Sequence, residues 1–556
     1  MSTRGLNLLV FREGRGRVSG PGLRLALMAR LEALGGGAPR ERLLSALLRA
    51  GELECGVADE AAAAAQPLAE LTDCLAEALL SGRLPDHFSK IKTTVSRAPM
   101  PEWLNISTPE GFAYYALHPL AYADALAKLP RLPENVVVVG IRSIGTTLSA
   151  VTAADARLRG LQAQRMTVRP DGHPYNRRTQ FSPAQLQVIR RGVSSAAMFL
   201  IVDEGPGLSG SSFLSVAEAL EEAGAAQERI VLLCGHEPNA DKLCSANAAQ
   251  RWRRFKCVPV SDEGRKPAGA DAFIGGGQWR SQLFSGESAW PESWSNMERL
   301  KYVSSAEKPE RRFFKFAGFG HYGDPVLERE EQIAAAGFGP LPRWENDGFV
   351  SYPWLDGRPM AADDLSPAVI VRLAEYCAFR AGAFGLGEAD LAALQKMAEH
   401  NLAELGFDLS ATLTLDRPVI ADGRMHPHEW LLTSAGKMLK TDSGSHGDDH
   451  FFPGPTDIAW DLAGAIVEWR MTAEQANEFL ELYRRASGDN ASARVADFLR
   501  AYTVFRCAFC KMAASALQGT AEQVRLDLAA ANYAELLSKL AREARAVGRS
   551  IGFALH

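Results

Sequence analysis

Runs of four apolar residues recur along the first half of the chain: Val136-Val137-Val138-Val139, Phe199-Leu200-Ile201-Val202 and Ile230-Val231-Leu232-Leu233. Phe255-Lys256-Cys257-Val258-Pro259-Val260 reads as a further strand. Unbroken apolar runs, without polar alternation, mark strands buried on both faces of a parallel sheet. Helical spacing separates them: a helix opens at Leu148, and Val216, Leu220 and Ala223 recur at helix period before Gly224 ends the run. Strands alternating with helices predict a doubly wound parallel sheet over residues 96–262. Before it, leucines at 23, 27, 31, 43, 44, 47 and 48 predict a helical N-terminal segment over 1–95, with 1–20 loose. After it, residues 263–305 are rich in turns, glycine and tryptophan and read as a linker.

The pattern changes again near residue 306. Arg311-Arg312-Phe313-Phe314-Lys315-Phe316 alternates like a strand, residues 326–336 form a short acidic helix, and 349–359 end a hairpin. Residues 368–405 are mainly helical, with Ser366-Pro367 as cap and first turn. The tail from Thr520 is helical and charged. The fold class expected is therefore α/β multidomain, with an α+β unit over 306–556.

A chain of 556 residues has room for several domains. The hydrophobic fraction of 47% and charged fraction of 23% are ordinary for globular protein. A formal net charge of −5 gives no global argument for nucleic acid or membrane. No apolar run approaches a membrane span, and the start does not read as a secretory signal. The eight scattered cysteines fit reduced thiols and a cytoplasmic setting. Cys507 and Cys510 form a lone CxxC in a helical pattern, read as core or surface thiols.

The stretch 198–212 carries the most chemistry. An apolar strand runs into Asp203-Glu204, then Gly205-Pro206-Gly207-Leu208-Ser209-Gly210-Ser211-Ser212, then a helix. Free N–H groups and the helix dipole make such a loop a phosphate cradle, and two carboxylates suit a sugar diol. At these residues the chain resembles the type I phosphoribosyltransferases, whose signature binds the ribose 5-phosphate of PRPP. The earlier loop Arg142-Ser143-Ile144-Gly145-Thr146-Thr147 stands where that family holds pyrophosphate. The basic stretch 167–178, with Arg169, Arg177 and Arg178, resembles its mobile loop. The resemblance implies that Asp203 and Glu204 hold the ribose hydroxyls. It further implies that Gly205, Gly207, Leu208, Ser209, Gly210, Ser211 and Ser212 take the 5-phosphate, and that Arg142, Ser143, Gly145, Thr146 and Thr147 take the pyrophosphate. Arg177 and Arg178 would neutralise the leaving pyrophosphate. Tyr114 and Tyr115 are candidates to stack on a base, with a core role as the other reading.

The region from 306 resembles the aminoglycoside phosphotransferase and choline kinase-like group of the protein-kinase fold. Residues 352–359 look like its hinge, Lys315 like the strand lysine on ATP phosphates, and Glu328 or Glu330 like the helix partner. The loop Asp422-Gly423-Arg424-Met425-His426-Pro427-His428-Glu429 matches its catalytic loop, and Asp442 its metal-binding acid. Two departures stand out: Arg424 replaces the catalytic Asp, and Glu429 replaces the metal-binding Asn. Either Asp422 or His426 takes over the base role, or this unit does not transfer phosphate by the usual route. His446, Asp448, Asp449 and His450 add metal-ligand chemistry at close spacing or a solvated loop.

These readings lead to a phosphoribosyltransferase that uses Mg²⁺-PRPP on a nucleobase-like acceptor, joined to a kinase-like unit that binds ATP and Mg²⁺. The alternative is a regulatory protein that senses nucleotides or PRPP without turnover. Homo-oligomerisation stays open.

Overall fold

The computed structural model describes residues 7–552, apart from 13, 36–37, 130–131, 261–264 and 309, and describes side chains as far as 544. The expected boundary at 262–263, residues 1–6 of the stretch expected to be loose, and 553–556 of the tail lie outside the described residues.

The first half is built on one parallel sheet: β1 Asn135–Ile141, β2 Gln162–Val168, β3 Met198–Val202, β4 Ile230–Cys234 and β5 Lys256–Pro259, in the order β2-β1-β3-β4-β5. Every pairing is parallel; Val138 sits between Arg165 and Leu200 in register. Side chains alternate between the faces. Val136, Val138, Leu200 and Val202 enter one core, while Val137, Val139, Phe199 and Ile201 enter the other.

The first of these cores corrects the expected N-terminal unit. Helices Arg40–Glu60 and Gln66–Ser81 bury their leucines against the sheet and helix Ile144–Leu158. They are one layer of the doubly wound domain and not a separate segment. The stretch expected to be loose is also structured in part: Arg15–Ser19 pairs with Trp103–Ser107, and Leu8 and Val10 are buried in the C-terminal core.

The expected linker is corrected as well. A five-stranded antiparallel sheet runs β6 Ala272–Phe273, β7 Lys301–Val303, β8 Arg312–Phe316, β10 Phe349–Pro353 and β9 Arg343–Trp344, in that spatial order. Two of its strands thus come from 263–305. Arg280 in the same stretch is buried and paired with Glu522 of the last helix at 2.8 Å. β9 and β10 form the expected hairpin, whereas Gly357–Pro359 leaves to pair with Trp430–Thr433. Helix Asp324–Ala335 flanks the sheet.

A helical lobe follows, with Pro367–Ala383, Ala392–Glu404, Ala459–Glu468 and Ser492–Ala516 around a core of Trp430, Trp460 and Tyr502. Helix Ala521–Gly552 packs on it. Cys507 and Cys510 are buried free thiols there. Phe314, Phe316 and Phe349 of the antiparallel sheet share the core of the parallel-sheet domain. The cleft described next is therefore walled by both halves of the chain. Among the described residues no helix is long and apolar enough to cross a membrane.

Candidate functional site

A cavity of ≈ 200 Å³ opens between the antiparallel sheet and the helical lobe. Tyr352, Pro353, Trp354 and Leu355 line one end, where β10 crosses to the second lobe. Lys315 reaches in from β8, and Leu431, Thr441 and Asp442 face it from the other lobe.

Lys315 is the sheet's inward charge. Its Nζ donates to the Asp442 carboxylate and to Ser445 Oγ at 2.8 Å. Burial pulls Lys315 below its ordinary pKa. Burial works to raise Asp442, but His446 and Lys315 outweigh it and hold the carboxyl well below its usual range. Asp442 therefore faces the cleft as a carboxylate in direct contact with Lys315. The inward acid of helix Asp324–Ala335 is Glu330, which is buried, whereas Glu328 is exposed. Glu330 does not pair with Lys315, as the resemblance implied. It accepts the Gly444 N–H at 2.7 Å and the Ser443 hydroxyl at 3.2 Å. It holds the loop after Asp442 instead of the lysine.

The loop 422–429 departs further from expectation. Asp422 is fully buried and does not line the cavity. Tyr376 donates to its carboxylate, Lys440 lies 3.4 Å away, and Asp461 accepts its backbone N–H at 2.8 Å. Locked in this way, Asp422 is a structural acid and no base or nucleotide contact. His426 does line the cleft, with Nδ1 3.0 Å from Glu468. Arg424 enters the cleft where the resemblance placed a catalytic Asp.

Asp422, Glu429 and His446 each offer a ligand atom within 4.8 Å of the others. Lys440 Nζ already donates to Glu429 Oε2 at 2.8 Å. Glu429 is therefore neutralised by an ammonium, and a Mg²⁺ ion there would have to displace it. Asp442 also lines the cavity and is held ionised; its Oδ1 is taken by Lys315, and its Oδ2 lies 3.5 Å from His446 Nε2. The cluster 446–450 does not converge: Arg329 pairs with Asp448, and the Tyr115 hydroxyl lies 3.3 Å from His450 Nε2.

The parallel sheet brings a second set together. Strand order reverses between β1 and β3, and in such sheets ligands sit beyond the carboxyl ends at that switch point. The loops 142–147 and 203–212 leave those two ends. Ser143 adopts φ 114°, a strained position for a residue with a side chain. Burial raises Asp203 to about 7, against the Glu204 N–H, Arg169 and Arg177. Burial, helped by Glu110 and Asp203, raises Glu204 to about 8. The Glu204 carboxylate accepts the Gly111 N–H at 3.1 Å.

Helix Ser211–Glu222 begins after Gly210, and the Ser211 hydroxyl donates to the Pro174 carbonyl at 2.6 Å. This ties the hairpin Asp171–His173/Asn176–Arg178 across the loop. Ser209 Oγ lies 2.9 Å from Ser211 Oγ, while Gly207 and Leu208 are exposed, Gly205 and Gly210 complete the turn, and Ser212 lies in the first turn of the helix. Arg177 donates to the Pro170 carbonyl at 3.1 Å and Arg178 is exposed.

Three expected pyrophosphate contacts are corrected. Gly145, Thr146 and Thr147 are buried in helix Ile144–Leu158, not lined up on a cleft. A Cβ on Gly145 would lie 2.6 Å from the Val202 carbonyl, so this glycine lets the helix sit on β3. Arg142 and Arg169 both bind Asp59 of the N-terminal layer.

The lining residues Arg299, Lys301 and Glu298 lay in the supposed linker. Nothing in their local pattern marked them.

No family model matches the chain, and neither does any curated protein. Among solved structures, it is similar to the choline kinase LicA of Streptococcus pneumoniae at 13% identity, over 44% of this chain and 90% of that one, with a TM-score of 0.30. A choline/ethanolamine kinase family protein of Mesorhizobium loti matches at 15%, over 48% and 97%, with a TM-score of 0.31. A spectinomycin phosphotransferase in complex with ADP and spectinomycin matches at 12%, over 44% and 88%, with a TM-score of 0.31. Likeness at this level has no bearing on what this chain binds.

Proposed function

We propose that the cleft between the antiparallel sheet and the helical lobe binds a nucleoside triphosphate, as the nucleotide site of a kinase-like phosphotransferase unit. The observation that carries this reading is the Lys315–Asp442 ion pair lining a cavity that residues 352–355 also line, where the chain crosses between the lobes. The base would lie against Tyr352, Leu355 and Leu431. The phosphates would take the Lys315 ammonium, and Asp442 would hold Mg²⁺. Phosphoryl transfer depends on positioning and charge more than on covalent help from the protein. With Asp422 locked and Arg424 in the cleft, no carboxylate among the described residues stands at the motif position of the general base. Turnover should then fall below the roughly 1–100 s⁻¹ usual for kinases. Titrating a non-hydrolysable ATP analogue with Mg²⁺ into wild type and Lys315→Met tests this. Binding that the substitution weakens at least about tenfold supports the reading; no binding to wild type ends it.

A second reading is favoured by the switch point of the parallel sheet. There Asp203 and Glu204 would hold the ribose hydroxyls of PRPP, and the loop 205–212 its 5-phosphate. The hairpin with Arg177 and Arg178 would cover the pyrophosphate as a nucleobase-like acceptor attacks. Heat released on titrating PRPP and Mg²⁺, absent in Asp203→Asn/Glu204→Gln, supports this reading. No heat with wild type removes it.

A further inference from the structure

The end of the cleft away from residues 352–355 carries an excess of positive charge. Arg424 lies 5.8 Å from the centroid of the Phe509 ring, and its guanidinium makes no ion pair among the described residues. Arg299 also lines the cavity. It donates to the carbonyls of Ala113 and Ala317 at 2.9 and 3.0 Å, and lies 5.0 Å from the Tyr114 ring. Carbonyl oxygens orient a guanidinium without neutralising it.

Most other charges of the lining cancel in pairs: Lys315 with Asp442, Lys301 with Glu298, Arg506 with Glu292. What remains is Arg424 and Arg299 with Asp449 and Glu429, and Glu429 is paired with Lys440 from outside the lining. Arg299 lies over Tyr114 and Arg424 near Phe509, and a chain of ring contacts joins these two: Tyr114–His450 at 5.0 Å, His450–Phe451 at 4.4 Å and Phe451–Phe509 at 5.1 Å between centroids, which places both guanidinia around one region. Asp449 is shared among Arg424, Arg12 and Arg299, and its Oδ1 accepts the Phe451 N–H at 2.8 Å. Burial, with these three arginines opposing, still leaves Asp449 raised to about 6. His450 stays neutral, pushed to about 3 by burial and the same arginines. Glu429, Asp442 and Asp448 are each paired with another cation, so Asp449, shared among three guanidinia, leaves room for another anion.

The walls here are rings. Tyr114, Trp294 and Phe451 line the cavity beside the two arginines. A guanidinium fork matches phosphate oxygens, and ring faces match a planar base. We propose that this end of the cleft binds a ligand of the nucleoside monophosphate class, its phosphate between Arg424 and Arg299 and its base against Tyr114, Trp294 and Phe451. Arg424 is then an acceptor-binding residue standing where a general base was expected. This inference rests on the proposed nucleotide site only in taking the 352–355 end of the cleft as the place of the triphosphate.

The test is calorimetric titration of inosine 5′-monophosphate, and of inosine as the uncharged control, into the full chain. It is run with and without the ATP analogue and Mg²⁺. Inosine monophosphate should bind at least about tenfold more tightly than inosine. Arg424→Gln should lose about tenfold of that affinity, and Arg424→Lys should fall between. Thermal unfolding of each variant verifies that it is folded, and Arg299→Gln gives an independent second loss. Equal binding of nucleotide and nucleoside overturns the proposal, as do unchanged affinities in both folded variants or no monophosphate binding in either condition. Monophosphate binding that depends on Arg424, with no binding of the ATP analogue, would sink the triphosphate reading and leave this one standing.

Discussion

Lys440 Nζ donates to Glu429 Oε2 at 2.8 Å and lies 3.4 Å from Asp422 Oδ1, with the lysine wholly buried. Burial disfavours the ammonium, but Asp422 and Glu429 hold Lys440 above its ordinary pKa. An internal cation thus occupies the ground between two acids that would otherwise compete for a metal.

Removing that cation should be costly. Lys440→Met leaves Asp422 and Glu429 buried without their partner, which typically destabilises by about 3–5 kcal/mol. Denaturant unfolding at neutral pH should show a lower midpoint with an unchanged slope. The same variant should gain affinity for Mg²⁺, read by calorimetry in the absence of nucleotide.

The acid pair on the parallel sheet predicts a pH dependence. Asp203 and Glu204 are raised to about 7 and about 8, so the folded chain binds their protons more tightly than the unfolded chain. Their contribution to stability is full below the unfolded carboxyl range and is lost as pH rises through about 7–8. Melting temperature should therefore fall across this window, and Glu204→Gln should flatten the fall. Asp449 and Asp461, both raised to about 6, act in the same direction at lower pH. The effect of Glu204→Gln is thus to be read above pH 7.

Gly145 offers a packing test. A methyl there meets the Val202 carbonyl at 2.6 Å. Forced overpacking of this kind costs about 1–3 kcal/mol. Gly145→Ala should lower the unfolding midpoint accordingly, while Gly207→Ala, whose added carbon meets nothing within 4 Å, should cost less. Gly207 has φ +57°, so some backbone strain remains in that control.

The strands of the parallel sheet were legible because burial on both faces leaves unbroken apolar runs, as at Val136-Val137-Val138-Val139. The alternation around Lys315 marked β8 for the opposite reason, since one face of the antiparallel sheet meets the cleft. Strands Ala272–Phe273 and Lys301–Val303 were not legible. They are too short to show a period and sit among glycines and tryptophans. The N-terminal helices showed their apolar stripe but not its partner, because Leu47 and Leu71 pack on a sheet far along the chain. At the site, Lys315 and Asp442 carried local signals. Arg299 and Asp449 meet only through folding, and Asp422 kept its motif position while its side chain turned into the core.

Amide hydrogen exchange with and without a non-hydrolysable ATP analogue and Mg²⁺ tests the central claim most directly, because it shows where the nucleotide sits. The account predicts slowed exchange along 312–316, 352–355 and 440–446. Slowing confined to 142–147 and 203–212, or none at all, would contradict it.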